Sequence, residues 1–341
     1  MQVFINNPTY KAEEKAERPA LSVVAPCFNE AEGLGEFYRR VSEACRASFG
    51  DNWELILIND GSKDQTWNVM QGLVTEDPHV IAINLSRNFG HQLALSAGLE
   101  YCAGAHVLII DADLQDPPEL LADMLKLMES EGADVVYGQR HRREGESFVK
   151  KATASLFYRI LRQMVSHDIP VDAGDFRLMT RRALEALNGM PEQHRFIRGM
   201  VSWIGFRQVP LKYDREARFA GETGYPFSKM VKFALDAVTS FSTAPLRFAS
   251  GFGIAFGILG ICMMIYTVGS WMFFSTVSGW TSLSTIVLLM GSVQLFVVGI
   301  IGEYLGRLYL ESKRRPLYII DGIIRQDIRM APLTAKSELD K

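Results

Sequence analysis

Charge is missing from one long stretch of this sequence: no Asp, Glu, Lys or Arg occurs between Phe248 and Gly302. Two parts of the stretch, residues 248–274 and 283–302, are rich in Ile, Leu, Val, Phe, Met and Gly, and a polar break at 275–282 separates them. A helix of about 20 apolar residues crosses a hydrocarbon core of about 30 Å. We therefore expect two membrane-spanning helices. The alternative is a buried helix pair in a soluble protein, but soluble cores rarely lack charge for so long.

The sequence also lacks the patterns that mark several other classes of protein. Its net charge is −3, from 36 Lys and Arg against 39 Asp and Glu, which leaves no basic excess for a nucleic-acid groove. The six histidines are scattered, and the segment 1–19 is polar and unlike a signal peptide. No zinc-binding spacing relates the four cysteines, which are Cys27, Cys45, Cys102 and Cys262. We therefore expect reduced thiols and no nucleic-acid partner.

Positive charge flanks the uncharged stretch but is missing from its central break. Arg247 precedes the first predicted span, and Arg307, Lys313, Arg314 and Arg315 follow the second. Cytoplasmic segments next to membrane spans carry an excess of Lys and Arg, so we expect both chain ends to be cytoplasmic. The expected location is the cell inner membrane, crossed twice.

Before this stretch, short apolar runs alternate with helical patterns. Strands are predicted at 21–25, 54–58, 80–84, 106–110, 134–137 and, later in the chain, at 206–213. Strands that alternate with helices favour an α/β domain whose mainly parallel sheet is covered by helices on both faces. Ligands of such sheets bind beyond the carboxyl ends of the strands.

The most informative motif follows the fourth predicted strand, where residues 111–118 read Asp-Ala-Asp-Leu-Gln-Asp-Pro-Pro. Alternate side chains of an extended segment share a face, so Asp111, Asp113 and Gln115 could reach one point. Oxygen ligands of this kind suit Mg²⁺ or Mn²⁺, which bind through one or two carboxylates and the phosphates of a substrate. A solvated acidic turn that begins a helix is the alternative.

Two more loops follow predicted strands at the same edge of the sheet. Asp60 could accept hydrogen bonds from a nucleobase or a ribose, or it could belong to a plain turn with a helix cap. After the first strand, the ring of Phe28 could lie against a nucleobase and Glu30 could bind ribose hydroxyls. The alternative is a loop whose Phe28 packs on the sheet.

Together these motifs resemble the family 2 glycosyltransferases, which have the GT-A fold with its Rossmann-like sheet. The first loop matches at Pro26, Phe28, Asn29 and Glu30, whereas Asn59 replaces the first residue of the usual Asp-Asp-Gly-Ser run. Further runs resemble the polyprenyl-phosphate branch of the family, at 86–91, 111–119, 174–179, 239–247 and 302–307. The two predicted spans make the sequence most similar to bactoprenol glucosyltransferases, with dolichol-phosphate mannose synthases as more distant relatives.

The resemblance implies an inverting transfer of a sugar from a nucleotide-sugar donor to a polyprenyl phosphate lipid, with UDP-glucose and undecaprenyl phosphate as the expected pair. It also implies a homo-oligomer, and a tetramer is one size that this oligomer could have. Nucleotide-sugar contacts are expected at Pro26, Phe28, Glu30, Asp60, Asp111, Ala112 and Arg140. Mg²⁺ or Mn²⁺ is expected on Asp111, Asp113 and Gln115.

The resemblance also assigns catalytic roles to Asp113 and Asp175. Asp175 stands where relatives have a catalytic carboxylate, but it could instead pair with Arg177 or another nearby cation. Contacts to the acceptor phosphate are expected at Arg198, Ser228 and Lys229. Arg198 and Lys229 could equally be surface charges.

The sequence therefore predicts an α/β GT-A catalytic domain, an interfacial amphipathic helix and a two-helix transmembrane hairpin. The expected parts are a polar tail at 1–19, the catalytic domain at 20–224, the interfacial helix at 225–246, the hairpin at 247–307 and a cytoplasmic tail at 308–341. The predicted interfacial helix has apolar residues on one face and charged ones opposite, as suits a bilayer surface.

Three alternatives stay open at this point. The sugar could be mannose from GDP-mannose, an aminoarabinose or an N-acetylhexosamine. A processive polysaccharide synthase would carry a Gln-x-x-Arg-Trp run, whereas the sequence after Gln193 is His-Arg-Phe-Ile. A non-catalytic membrane scaffold would not need the intact acidic run at 111–118.

Overall fold

The structure, a computed structural model, describes residues 18–140, 173–214, 244–273, 279–326 and 328–329. The strands in these ranges are β1 Leu21–Cys27, β2 Trp53–Asn59, β3 Val80–Leu85, β4 His106–Ile109, β5 Val135–Arg140, β6 Ala173–Thr180, β7 Gln208–Tyr213, β8 Ile320–Arg325 and β9 Ile328–Arg329. The helices are α1 Leu34–Phe49, α2 Thr66–Glu76, α3 His91–Tyr101, α4 Leu121–Glu131, α5 Arg181–Asn188, α6 Ile197–Trp203, α7 Ala244–Phe273 and α8 Trp280–Ser312. These elements form two compact units: one contains the strands with α1–α6, and the other contains α7 and α8.

All described strands of the first unit join one sheet, in the order β7-β5-β6-β4-β1-β2-β3-β8-β9. The central strands β4, β1, β2 and β3 are parallel to one another. Antiparallel neighbours extend the sheet on both sides, since β6 pairs with β4 and β8 pairs with β3. The chain order reverses at β1, which lies between β2 and β4, and ligands of such sheets bind where the order reverses.

The centre of the sheet is buried on both faces, which is why its strands are almost continuously apolar. On one face, Val23 and Leu55 share a core with Phe37 of α1 and Met124 of α4. On the other face, α3 lies so close that a methyl group at Gly98 would come within 2.4 Å of the Val24 side chain. Helices therefore cover both faces of the sheet, as the sequence predicts.

The predicted α/β class is confirmed. The bounds of β1–β4 and β7 lie within two residues of the predicted ones, and β5 also begins within two residues of its predicted start but runs on to Arg140. No sequence pattern predicted β6, β8 and β9. The last two lie inside the segment 308–341 that was predicted as a tail. Most of the predicted interfacial helix, residues 225–243, lies outside the described residues.

The second unit contains the two long apolar helices α7 and α8. In the described part of the chain, one segment is long and apolar enough to cross a membrane, Leu289–Ser312 of α8. A shorter apolar run, Phe248–Cys262, lies in α7. Many large apolar side chains on both helices are exposed, among them Ile254 and Leu295. The two-span hairpin stays a prediction.

Candidate active site

The predicted site residues collect at the carboxyl ends of the central strands. Phe28 and Glu30 follow β1, Asp60 follows β2, and the acidic run 111–118 follows β4. Three more predicted residues come from other elements: Arg140 ends β5, Asp175 lies in β6 and Arg198 lies in α6. Ser228 and Lys229 lie outside the described residues.

The loops after β1 and β2 are joined by hydrogen bonds that leave the Phe28 ring exposed. Asn29 adopts a left-handed backbone conformation, with φ 57°, which asparagine tolerates better than most residues. The backbone N–H of Asn29 donates to Ser62 Oγ at 3.0 Å, and its side-chain Oδ1 accepts from the backbone N–H of Lys63 at 2.8 Å. The Phe28 side chain is 44% exposed. The ring therefore does not pack into the core, and its face is accessible to a ligand.

Asp60 is buried and holds the loop of residues 86–91. One carboxylate oxygen accepts from the Phe89 N–H at 2.7 Å and the other from the Gly90 N–H at 3.0 Å. Burial raises the pKa of Asp60, and these two hydrogen bonds oppose that effect. The neighbouring Gly61 has φ +64°, and a Cβ there would lie 2.4 Å from the Asn88 backbone nitrogen. Asp60 and Gly61 thus fix the loop that carries His91, whatever else Asp60 contacts.

The acidic run forms a turn and not the extended segment on which the sequence argument relied. Leu114 has φ 60°, and Asp113 Oδ1 accepts a hydrogen bond from the Gln115 N–H at 3.1 Å. A left-handed residue between two ligand candidates changes the direction of the chain, so the period-two alternation of a strand does not apply here. Asp113 is 8% exposed, and Asp111 is half-buried.

Asp111 carries an oxygen that suits a cation. Its Oδ1 is buried, receives no hydrogen bond within the described residues and lies 3.5 Å from His91 Nε2. The pKa of Asp111 is raised to about 6: burial and the charges of Asp175, Asp116 and Asp113 raise it, and the His91 charge opposes them. The described residues contain no group of three His, Cys, Asp or Glu side chains that could hold a metal ion by themselves. A cation here would need phosphate oxygens of a substrate as additional ligands.

Asp175 lies deeper and is surrounded by donors. Arg198 donates to its two oxygens from Nε at 2.8 Å and Nη2 at 3.0 Å, and Gln92 Nε2 donates at 3.2 Å. Burial raises the pKa of Asp175, but the charge of Arg198 and hydrogen bonds from His91 and Arg198 outweigh it and hold the pKa well below its usual range. The carboxylate is therefore ionised at neutral pH, and Arg198 is paired with it.

The cation that pairs with Asp175 differs from the one named first in the sequence argument. Arg177 Nη2 lies 3.9 Å from Asp175 Oδ1 and donates mainly to the Gly174 carbonyl at 3.0 Å. Its guanidinium is buried, which lowers the pKa of Arg177 to about 10. The close partner is Arg198, which reaches across from α6.

His91 is a site residue that the sequence argument missed. Its Nε2 lies 3.2 Å from Asp175 Oδ2 and 3.5 Å from Asp111 Oδ1, so one imidazole edge joins two of the predicted carboxylates. Burial lowers the pKa of His91, but Asp175 and Asp111 raise it to about 8. His91 ends the 86–91 run that was compared with relatives. A lone histidine at the start of a helix carries no pattern that indicates this role.

Arg140 reaches the site from the end of β5. Gly174 of β6 lies close to its guanidinium, since a Cβ at Gly174 would lie 3.0 Å from Arg140 Nη2. On its other side, Arg140 is paired with Tyr213 of β7, and the Tyr213 hydroxyl donates to Asp116 Oδ1. Burial and Asp116 raise the pKa of Tyr213. The Arg140 guanidinium therefore lies beside the strand that carries Asp175.

Comparison with known proteins gives two family matches. The family described as glycosyl transferase family 2 matches residues 22–187, and the one described as GtrB C-terminal hairpin matches residues 244–308. The first match contains the strand ends that carry most of the site, and the second contains α7 and most of α8.

Similar proteins cover nearly the whole chain. YkcC of Bacillus subtilis (strain 168), described as an uncharacterized glycosyltransferase, is 45% identical over 300 residues, which are 88% of this chain and 92% of that protein. A prophage bactoprenol glucosyl transferase homolog of Escherichia coli (strain K12) is 37% identical over 88% of this chain and 98% of its own. The bactoprenol glucosyl transferase of Shigella phage SfV is 38% identical over 88% of this chain and 97% of its own. The chain therefore belongs to glycosyl transferase family 2 and is a glycosyltransferase.

Proposed function

We propose that this enzyme transfers glucose from UDP-glucose to undecaprenyl phosphate at the cytoplasmic face of the membrane, with inversion at the anomeric carbon. The observation that carries the proposal is the similarity to bactoprenol glucosyl transferases, which extends through both the catalytic sheet and the helical hairpin. The geometry of the strand ends agrees with such a reaction.

The donor nucleotide fits the edge formed by the loops after β1 and β2. The exposed Phe28 ring offers a face for a base, and Glu30 and Asp60 lie in the adjoining loops. The diphosphate would then lie towards Asp111 and Arg140. Mg²⁺ or Mn²⁺ would be held by Asp111, Asp113 and Gln115 together with phosphate oxygens, which suits the buried Asp111 oxygen that accepts no hydrogen bond from the described residues. When bound, such an ion stabilises the negative charge of the departing diphosphate.

The acceptor needs little help from a base. A phosphate monoester has a second pKa of about 6, so it is largely a dianion at neutral pH. Its oxygen attacks the anomeric carbon, the bond from that carbon to the diphosphate oxygen breaks, and the nucleoside diphosphate leaves with the electron pair. Asp175 is ionised but surrounded by donors, so its role is to orient Arg198. Arg198, whose side chain is 35% exposed, contacts the acceptor phosphate with Ser228 and Lys229.

The connection of the sheet supports two membrane crossings. Strands β1–β7 precede α7 and β8 follows α8, yet β8 pairs with β3 in the same sheet. A bilayer cannot divide a hydrogen-bonded sheet, so the chain between β7 and β8 crosses a membrane an even number of times. One long apolar segment in α8 and exposed apolar side chains on α7 favour two crossings. Both chain ends then lie on the side of the catalytic domain.

We also propose a homo-oligomer assembled through the helical hairpin. Glycines on α7 and α8, among them Gly253, Gly257 and Gly291, have open space where a side chain would be, within the described part of the chain. Small residues allow membrane helices to approach closely. A monomeric mass in mild detergent, together with full activity, would contradict the oligomer.

The proposal is tested by incubating membranes that contain the enzyme with undecaprenyl phosphate and a panel of labelled nucleotide sugars. UDP-glucose should give a labelled polyprenyl product, and membranes with Asp113→Asn should not. Preference for GDP-mannose, an aminoarabinose donor or a UDP-N-acetylhexosamine would correct the sugar and leave the acceptor in place. A folded enzyme that uses none of these donors with the lipid would refute the proposal.

A further inference from the structure

The chain that follows the membrane hairpin returns to the catalytic sheet as β8 and forms a bulge there. On β3 the paired residues Asn84 and Leu85 are consecutive, but their partners on β8 are Gly322 and Ile320. Asp321 is therefore the extra residue of a β-bulge. Bulges turn a side chain out of the regular alternation and often lie next to functional sites. Here the bulge brings the Asp321 carboxylate to the end of β3.

From Asp321, hydrogen bonds run across three strand ends. Asn84 Nδ2 donates to Asp321 Oδ2 at 3.1 Å, and Asn59 Nδ2 donates to Asn84 Oδ1 at 2.7 Å. Asn59 Oδ1 then accepts from the Ser62 N–H at 3.1 Å. The register of the sheet sets this row, because Asn59 and Asn84 are directly paired on the parallel strands β2 and β3. We call Asp321, Asn84 and Asn59 the amide relay.

The last step of the amide relay enters the loops that we assign to the nucleotide. Ser62 Oγ accepts the Asn29 N–H, and Asn29 lies between Phe28 and Glu30. The relay therefore ends on the turn that fixes the exposed Phe28 ring.

The relay has one direction, and Asp321 sets it. A carboxylate can only accept, so Asn84 must turn its NH₂ group to Asp321 and its oxygen to Asn59. Asn59 must then turn its NH₂ group to Asn84 and its oxygen to the Ser62 N–H. The relay therefore requires an amide, and not a carboxylate, at position 59. A carboxylate at position 59 would face the Asn84 oxygen, and two acceptors would meet.

We propose that Asp321 is a positioning residue for the nucleotide part of the donor site, acting through Asn84 and Asn59. The inference rests on the proposed function, because it assumes that the donor nucleotide binds at the ends of β1 and β2. It gives the segment after the membrane helices a part in donor binding, although no residue of that segment need touch the donor.

The sharpest test reverses the relay. Asn59→Asp alone should raise the donor KM about 3- to 10-fold, the effect of one lost hydrogen bond, with kcat within about twofold. Adding Asp321→Asn should restore the parent KM. Asn84 can then turn over, donate to the new carboxylate at position 59 and accept from the new amide at position 321. A purely structural role for either residue predicts no such rescue, and a double variant as weak as Asn59→Asp alone would overturn the inference.

Two further variants complete the experiment. Asp321→Ala should raise the donor KM to the same extent and leave the acceptor KM unchanged. Gln326→Ala is the matched control, because Gln326 follows the same strand and donates to the Thr75 carbonyl, away from the strand ends. A donor KM that is unchanged in Asp321→Ala, or raised equally in Gln326→Ala, would refute the inference.

A readout without turnover separates the relay from the proposed reaction. Amide hydrogen exchange at Ser62 should be faster in Asp321→Ala than in the full-length parent, and the amides of β2 should be unchanged. Faster exchange with no use of any nucleotide sugar by the parent would support the relay and refute the proposed function. Unchanged exchange at Ser62 would refute the relay even in an active enzyme.

Discussion

Asp175 and Arg198 meet across two elements in a two-point ion pair, with donor distances of 2.8 and 3.0 Å. The Asp175 side chain is 2% exposed, whereas that of Arg198 is 35% exposed and reaches solvent. Two-point pairing fixes a guanidinium in direction as well as in place. The pair therefore fixes the Arg198 guanidinium while part of it stays exposed to solvent, as the proposed contact with an acceptor phosphate requires.

The pH dependence of an Asp175→Asn variant distinguishes positioning from proton transfer. Because the pKa of Asp175 lies well below its usual range, the parent carboxylate is ionised at every pH from about 6 to 8 and is a weak base. We expect the variant to lose on the order of 10²-fold in rate through the misplaced Arg198. The ratio of variant to parent rate should stay nearly flat across this range.

A true base would give a different profile. Its loss would cost most at low pH, where the acceptor phosphate still carries a proton, and the deficit would shrink steeply as pH rises. The control is Asp134→Asn, which removes another buried carboxylate that is paired with an arginine, Arg182, outside the site. Equal rate losses in the two variants would assign the effect to folding.

Removing Arg198, the positively charged member of the pair with Asp175, should weaken binding of the acceptor. Arg198→Ala loses charge-assisted hydrogen bonds to the phosphate, so we expect the polyprenyl phosphate KM to rise about 10- to 100-fold, with a smaller change in the donor KM. Arg182→Ala is the matched control, since Arg182 forms a similar two-point pair with Asp134 and is 69% exposed. A larger change in donor KM than in acceptor KM would contradict the assignment of Arg198.

The central part of the fold could be predicted from the sequence because its strands are buried on both faces. Val23, Leu55 and Val107 belong to short apolar runs that are bounded by turns, and such runs are recognisable without any tertiary information. The ends of these strands carry Asp60 and Asp111, so the edge that bears the site was also predictable.

Strand β6 was not predictable in this way. Its sequence carries Asp175 and Arg177, two charged residues that are buried only because Arg198, Gln92 and backbone carbonyls satisfy them. Polar residues do not form an apolar run, so the strand gives no pattern. The same holds for β8, because α7 and α8 separate it in sequence from its partner β3, so the pairing has no local signal.

Metal dependence should follow from the acidic turn. Asp113→Asn should lower the transfer rate on the order of 10²-fold or more. Losses of this size follow when an enzyme loses one group that stabilises charge in the transition state. Chelator should abolish transfer by the parent, and Mg²⁺ or Mn²⁺ should restore it. Asp123→Asn, on the exposed side of α4, is the control and should behave as the parent. Full activity of the parent in excess chelator would refute the assignment.

Membrane topology can be tested with single cysteines. In a background without Cys262, which is exposed on α7, a cysteine placed at Ser278 should react with an impermeant thiol reagent added outside intact cells. A cysteine placed at Lys336 should react only after the cells are opened. Positive residues flank the hairpin and are absent from its central break, which favours this orientation.

The pairing of β8 with β3 gives a second reason, independent of charge, for the expected result at Lys336. Lys336 follows β8, and β8 is hydrogen-bonded to β3 of the catalytic domain. A cysteine at position 336 should therefore be labelled from the same side of the membrane as the domain. A cysteine placed at Glu43, which is exposed on the outer face of α1, reports in a parallel experiment on which side of the membrane the catalytic domain lies. Labelling of positions 43 and 336 from opposite sides would require an odd number of crossings and would contradict the pairing of β8 with β3. Labelling of both from outside, with position 278 protected, would keep the sheet and reverse the orientation.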